Sequence, residues 1–129
     1  MRVLLDTHIW LWFLAGDPRL GPRLRALIED PGTGLWLSPI SVWETLLLGQ
    51  RKRISCPPDP VTWVGRALLA LPVQEAPLTI GVVVRSRLVD LPQEDPADRF
   101  LVATALEMGL TLATIDRRLL DVPGLDTVG

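Results

Sequence analysis

Short apolar runs alternate with longer helical patterns along the chain, and this alternation predicts the fold class. Strands are expected at residues 2–5, 34–37, 72–75, 110–114 and 125–128. Helices are expected at residues 7–15, 19–30, 39–49, 61–71, 78–89 and 95–109, with one further helical turn at 117–120. Strands that alternate with helices usually pair in parallel. We therefore predict an α/β protein, a three-layer α/β/α sandwich with a central parallel sheet.

One segment carries two opposing signals. Three consecutive valines, residues 82–84, favour a strand within residues 78–89. The length of the segment and its two arginines, Arg85 and Arg87, favour a helix. We assign a helix there.

The length and composition indicate one domain spanning residues 1–129. The chain is 48% hydrophobic with a mean hydropathy of +0.30, so it has enough apolar residues to form a core. A single cysteine, Cys56, excludes an internal disulfide and paired-cysteine zinc sites. A single histidine, His8, excludes multi-histidine metal sites. The remaining chemistry depends mostly on carboxylates.

Charge and apolar segments restrict the partners and the location. The net charge is −2, so a polyanion could be bound only by a local group of cations. Arginine suits this role, because its planar guanidinium group can donate two hydrogen bonds to one phosphate. No apolar segment reaches the roughly 18 residues of a membrane helix. Asp6 interrupts the apolar N-terminal stretch, and no convincing small-residue cleavage site follows. We expect a cytoplasmic protein that does not contact membranes.

Four acidic residues occupy places that folding alone does not readily explain. Asp6 directly follows the apolar residues 3–5 of the first predicted strand, and Asp116 follows the run 110–115. Glu44 lies among apolar residues near the start of the third helix, and Asp98 lies in the first turn of the sixth. Ligands of a parallel sheet sit beyond the carboxyl ends of its strands. If the fold brings these four acids together there, they form an oxygen-rich pocket for Mg²⁺ or Mn²⁺.

Each acid also has a purely structural interpretation. Asp6 could cap the first helix, and Asp98 could form a capping box with Asp95. Asp116 could be a turn residue, while Glu44 could pair with an arginine. If the acids do converge, their mutual repulsion without metal should raise at least one pKa.

The first helix suggests a partner surface. Residues 7–15 are apolar on nearly every face, and such a short helix must be buried on two sides. One side can be the sheet, and the other can be a partner chain. The residues expected at that interface are Ile9, Trp10, Trp12 and Phe13.

Several segments, in order along nearly the whole chain, resemble the PIN-domain nucleases and more narrowly the VapC-type toxins of bacterial toxin–antitoxin pairs. They are residues 4–8 (LLDTH), 38–44 (SPISVWE), 95–99 (DPADR) with 101–105 (LVATA), and 114–116 (TID). The resemblance implies the predicted sandwich and an Mg²⁺- or Mn²⁺-dependent endoribonuclease. It also implies a homodimer and a cognate antitoxin of the VapB type.

The resemblance also implies roles for particular residues. The family's metal-binding and catalytic acids correspond to Asp6, Glu44, Asp98 and Asp116, with Thr114 as a supporting hydroxyl and Thr7 beside Asp6 as a second one. One difference is visible, because relatives often carry His-Arg just before the DPADR segment, where residues 93–94 here are Gln-Glu. This removes a cationic contact near the site without removing an acid.

Two other functions remain open from the residues. A metal-dependent phosphatase of the Asp-x-Asp type needs a second aspartate where this chain has His8. A non-catalytic module could use the acids to hold a structural ion or to bind a basic partner, although the apolar surroundings of Glu44 weigh weakly against this.

Overall fold

The computed structural model describes residues 1–129 and contains one five-stranded sheet. Its strands are β1 Arg2–Leu5, β2 Gly34–Leu37, β3 Gln74–Glu75, β4 Thr111–Ala113 and β5 Thr127–Val128. The strand order is β3-β2-β1-β4-β5, and every neighbouring pair is parallel. The predicted α/β fold with a central parallel sheet is confirmed. The order of connections reverses between β1 and β4, and a crevice at such a reversal is where α/β sheets bind ligands.

Six helices connect and cover the strands. They are α1 Thr7–Ala15, α2 Pro22–Glu29, α3 Pro39–Gln50, α4 Pro60–Ala70, α5 Ile80–Ser86 and α6 Pro96–Met108, with 3-10 turns at Pro18–Leu20 and Arg117–Leu119. The helix predicted at 19–30 is divided, because Gly21 has a φ of +77° and Pro22 restarts the chain as a helix. The ambiguous segment 78–89 does contain a helix, which the Thr79 hydroxyl caps by accepting from the Val82 N–H at 3.1 Å.

Alternating side chains of the strands pack into two separate hydrophobic cores, one on each face of the sheet, as expected of a three-layer sandwich. Val3 and Leu5 pack on one face of β1 with residues of α1, α2 and α4. Leu4 packs on the opposite face with Leu101 and other residues of α6. Because β1 is covered on both faces, its residues 3–5 are all apolar and fully buried.

The buried guanidinium of Arg99 fixes the loop that precedes α6. Arg99 is 6% exposed and forms no ion pair. It donates hydrogen bonds of 2.7–3.2 Å to the backbone carbonyls of Ser86, Val89, Leu91 and Gln93. These bonds tie the end of α5 to the first turn of α6, and they therefore position Asp98, which directly precedes Arg99.

The partner surface predicted on α1 is wrong for two of its four residues. Ile9 is 1% exposed and Trp10 is 0% exposed, and both lie in the core between α1 and the sheet. Trp12 and Phe13 are only partly buried. The reason is that α1 packs against α3 as well as the sheet, so one chain covers more of this helix than its sequence suggests. None of the helices combines the length and apolarity needed to cross a membrane.

Candidate functional site

The four predicted acids line one cavity of about 450 Å³, which we call the acid cavity. It lies beyond the carboxyl ends of β1 and β4, the neighbouring strands at which the sheet order reverses. Asp6 follows β1, Asp116 lies just beyond β4, and the N-terminal halves of α3 and α6 contribute Glu44 and Asp98. A fifth acid, Asp95, lines the same cavity. The sequence prediction that these four acids converge is therefore met.

Asp6 is held by a threonine at the end of the neighbouring strand. Its backbone occupies the N-cap position of α1, but its side chain makes no capping hydrogen bond. The carboxylate instead accepts from the Thr114 hydroxyl at 2.7 Å, and that hydroxyl accepts from the Asp116 N–H at 3.0 Å. Burial raises the pKa of Asp6, and the Thr114 hydrogen bond opposes that rise. The capping interpretation of the Asp6 side chain is wrong.

Glu44 is held by a hydroxyl of α1 rather than by an arginine. Its carboxylate lies 2.6 Å from the Thr7 hydroxyl, which lies 2.8 Å from the hydroxyl of Ser41. Thr7 has a single hydroxyl proton and an ionised carboxylate can only accept, so Thr7 donates to Glu44 while Ser41 donates to Thr7. Burial is the largest cause of the raised pKa of Glu44, and the nearby charges of Asp95 and Asp6 add to it.

Asp98 carries the largest shift among the acids. Its pKa rises from 3.8 to about 6, first because of burial and then because Asp95, Asp6 and Asp116 repel its charge. The capping box proposed for it is only half formed. Asp95 accepts from the Asp98 N–H at 3.2 Å, while the Asp98 side chain makes no bond back to Asp95. Its carboxylate therefore remains directed to the cavity rather than to the helix end.

Asp116 is paired with an arginine from its own turn. The Arg118 guanidinium donates to both carboxylate oxygens of Asp116, with a shortest distance of 2.6 Å, and reaches Asp98 at 3.5 Å. These bonds lower the pKa of Asp116. Asp116 also accepts from the Arg118 N–H at 3.0 Å, so its interpretation as a turn residue is confirmed. The Asp116 carboxylate therefore stabilises its turn and also lines the acid cavity.

The donor set fits a hard divalent cation by its chemistry. All the nearby anionic donors are carboxylates, and Mg²⁺ and Mn²⁺ prefer oxygen ligands. Burial and mutual repulsion raise the pKa values of three of the four predicted acids, so a bound cation would relieve an unfavourable concentration of charge. The four acids share this cavity, but no three of them lie close enough together in this arrangement to coordinate one metal ion. Arg118 instead supplies positive charge between Asp98 and Asp116.

Two residues that shape this site, Arg118 and Ser41, were not among those predicted from the sequence. Arg118 was detectable in principle, because a basic residue two positions after Asp116 can fold back onto it. Ser41 lies three residues before Glu44, hence on the same helix face, and this spacing was the available signal.

Gln93, at the position where relatives often carry histidine, has side-chain nitrogen and oxygen atoms that are buried without a hydrogen-bond partner. Burial raises the pKa of the Cys56 thiol, which argues against a nucleophilic role.

Three comparisons with known proteins point in one direction. The family model described as "PIN domain" matches residues 3–125. "Ribonuclease VapC22" of Mycobacterium tuberculosis is 34% identical over 122 residues, covering 91% of this chain and 88% of that protein. The solved structure of VapBC2 from Rickettsia felis bound to a promoter DNA fragment aligns with a TM-score of 0.71 and 15% identity, covering 99% of this chain and 98% of that chain.

A further solved structure is that of VapC20 from M. tuberculosis, described as a sarcin–ricin loop cleaving toxin. It aligns with a TM-score of 0.58 and 21% identity, covering 85% of this chain and 86% of that chain. At these identities the structural matches show the shared fold.

Proposed function

The chain belongs to the PIN-domain family, and on that premise we propose that it is an Mg²⁺- or Mn²⁺-dependent endoribonuclease, the toxin of a cytoplasmic toxin–antitoxin pair. In this proposal residues 1–129 form one nuclease domain, and Asp6, Glu44, Asp98 and Asp116 are its metal-binding and catalytic residues. The observation that carries the proposal is the acid cavity, which these four carboxylates line at the switch point of the sheet.

The chain's own residues supply position and charge. Thr114 holds Asp6, and Thr7 holds Glu44, through hydroxyl hydrogen bonds of 2.7 and 2.6 Å, so both carboxylates keep fixed orientations. A divalent ion held by the four acids would stabilise negative charge on the phosphodiester undergoing hydrolysis and would lower the pKa of a water molecule. The raised pKa values of Asp6, Glu44 and Asp98 indicate that the site favours the arrival of positive charge.

The experiment is cleavage of RNA with unpaired loops by the purified chain, with Mn²⁺ or Mg²⁺ and with excess EDTA. Cleavage should require the metal ion and should fall in Glu44→Gln and Asp6→Asn. Asp121→Asn is the matched control, because Asp121 is exposed and lies outside the acid cavity. Undiminished cleavage in EDTA would refute the metal dependence. Metal binding without cleavage would favour the non-catalytic module, and release of phosphate from monoesters alone would favour the phosphatase.

The proposed partners are a VapB-type antitoxin and a second copy of the chain. Both rest on family membership and on exposed apolar surface. Ile80, Val83, Val84 and Leu88 are 45–85% exposed and repeat at helical spacing along and just beyond α5. This face, rather than α1, is the better candidate for the homodimer. Val84→Glu should lower the mass measured by analytical ultracentrifugation from dimer to monomer, whereas an unchanged dimer would place the interface elsewhere.

For the antitoxin, the remaining candidates on α1 are Trp12 and Phe13. Both rings are partly buried and are covered by arginine guanidinium groups, Arg19 over Trp12 at 4.9 Å and Arg25 over Phe13 at 5.5 Å. Expression of the chain alone should arrest growth, and co-expression with the product of the neighbouring gene should restore it. Unimpaired growth on expression alone would argue against a toxin.

A further inference from the structure

A second cavity adjoins the acid cavity and has a different chemical character. This aromatic cavity, of about 460 Å³, lies between α1, the start of α4 and the loop that follows α3. Trp12 and Trp63 line it together with Arg19 and Arg53. The only acid in its lining, Asp17, is already paired with Arg19 at 2.7 Å. Its volume is within the range of about 300–1,000 Å³ that is usual for small-molecule sites.

The aromatic cavity connects the acid cavity with a third, basic one. It shares His8, Trp12 and Arg19 with the acid cavity. At its other end it shares residues 53–55 with a cavity at the end of α3, to which Lys52 also contributes. Acid, aromatic and basic surfaces therefore follow one another along one side of the molecule.

The basic end is formed by three consecutive cations, Arg51, Lys52 and Arg53, which we call the basic loop. All three are exposed, and none forms an ion pair. In a protein of net charge −2 this is a local concentration of positive charge without acidic partners. Such cations bind phosphates, whereas a basic protein segment would be repelled.

We propose that this surface is the track for single-stranded RNA, with one unpaired base held against Trp12 and Trp63 beside the cleaved phosphodiester and neighbouring phosphates held by the basic loop. The proposal rests on the ribonuclease function proposed above. Nucleobases stack on aromatic side chains with little sequence preference, while cations along the groove hold the backbone. Two indoles next to a hydrolytic site and three unpaired cations beyond them match that combination. A duplex cannot place a base in the aromatic cavity, so the track selects unpaired RNA.

The test measures binding without catalysis. Glu44→Gln protein in EDTA is titrated into a fluorescein-labelled, 12-nucleotide single-stranded RNA, and affinity is read from anisotropy. Stacking is worth about 1–3 kcal/mol per base, so Trp12→Leu should weaken binding by about fivefold or more, and Trp12→Phe should restore part of it. Trp43→Leu is the control, since Trp43 is 54% exposed and lines none of the three cavities. An RNA series with one abasic position moved along the strand should show one sensitive position.

The charge arm uses the exposed cations, whose replacement leaves the core intact. Lys52→Ser/Arg53→Ser should weaken binding and make the dependence of log affinity on log salt shallower by about 1.4, at about 0.7 for each phosphate that the variant no longer neutralises. Arg23→Ser/Arg66→Ser is the control, because both arginines are exposed and lie outside the three cavities. This control should retain the wild-type salt dependence.

The outcomes separate this inference from the proposed function. If the wild-type chain cleaves RNA but the Trp12 and basic-loop variants bind RNA as tightly as their controls, the track is refuted while the nuclease survives. If RNA affinity depends on Trp12 and the basic loop but the chain does not cleave RNA, the surface is an RNA-binding track and the nuclease function is refuted. If the variants no longer bind the product of the neighbouring gene but keep their RNA affinity, the surface binds a protein and the inference is overturned.

Discussion

Replacement of Asp98 by asparagine distinguishes a functional carboxylate from a helix-stabilising one. An aspartate in the first turn of a helix normally stabilises it, by about 0.3–1 kcal/mol, through the helix dipole. On that account alone, Asp98→Asn would lower stability. The structure predicts the opposite for the metal-free protein, because Asp98 is charged in a cavity that it shares with Asp6, Asp95 and Asp116.

The magnitude follows from the pKa. A rise from 3.8 to about 6 costs the folded state about 3 kcal/mol at pH 7.5, at about 1.36 kcal/mol per pH unit. The shift comes first from burial and then from repulsion by the other acids. The side chain is 17% exposed, so solvent offsets part of both, and about 1–2 kcal/mol is a realistic cost. After subtraction of the lost dipole interaction, Asp98→Asn should be about 1 kcal/mol more stable. For a chain of this length, that corresponds to a melting temperature about 3–5 °C higher.

The sign of the pH dependence is set by the direction of the shift. Because the folded-state pKa is raised, the penalty is absent below about pH 4, grows between about pH 4 and 6, and is complete above that range. The advantage of Asp98→Asn in EDTA should therefore vanish at pH 3.5 and be largest at pH 7.5. Added Mn²⁺ should reverse the order, since the wild type gains more from the ion.

The control is a second acid at a helix start. Asp59 caps α4 by accepting from the Thr62 N–H at 2.9 Å, and its pKa is lowered by that bond. Asp59→Asn should therefore be neutral or destabilising under the same conditions. If Asp98→Asn in EDTA is destabilised to the same extent as Asp59→Asn and shows no dependence on pH, Asp98 only stabilises the start of α6.

Three further predictions test the surroundings of the site. Arg118→Ala should bind Mn²⁺ severalfold more tightly by calorimetry at pH 8, because the guanidinium that pairs with Asp98 and Asp116 is gone. Arg117→Ala is its control, and weaker binding by Arg118→Ala would mean that Arg118 organises the acids. Thr114→Val should lower the free energy of unfolding in urea by about 2 kcal/mol, since it removes the bond to Asp6 and leaves the Asp116 N–H without its acceptor; an unchanged midpoint would refute this. Arg99→Met should cost about 3 kcal/mol or more by leaving carbonyls without donors, whereas Arg87→Met, at an exposed ion pair, should change little.

The sequence determined the elements and the sheet type, because these depend on local patterns. The buried part of a strand, such as Val3–Leu5 of β1, is a continuous apolar run, and caps such as Ser38 before Pro39 mark helix starts within a few residues. The division of residues 19–30 was less visible, since apolar spacing continues across Gly21, where the positive φ ends the first turn and Pro22 begins a new helix. The acids were recognisable as a set: each has a structural interpretation by itself, but all four fall where a parallel sheet binds its ligands.

The contacts between these residues depend on how the helices and strands pack in three dimensions. Thr114 and Asp6 are 108 positions apart and meet because β4 pairs with β1. The burial of Trp10 likewise depends on how completely the sheet and other helices enclose α1, and apolar spacing along one helix does not carry that information. The path from the acid cavity through Trp12 to Arg53 joins segments about forty residues apart. Proximity of this kind arises from packing between elements, whereas periodicity in the chain specifies only the faces that each element buries.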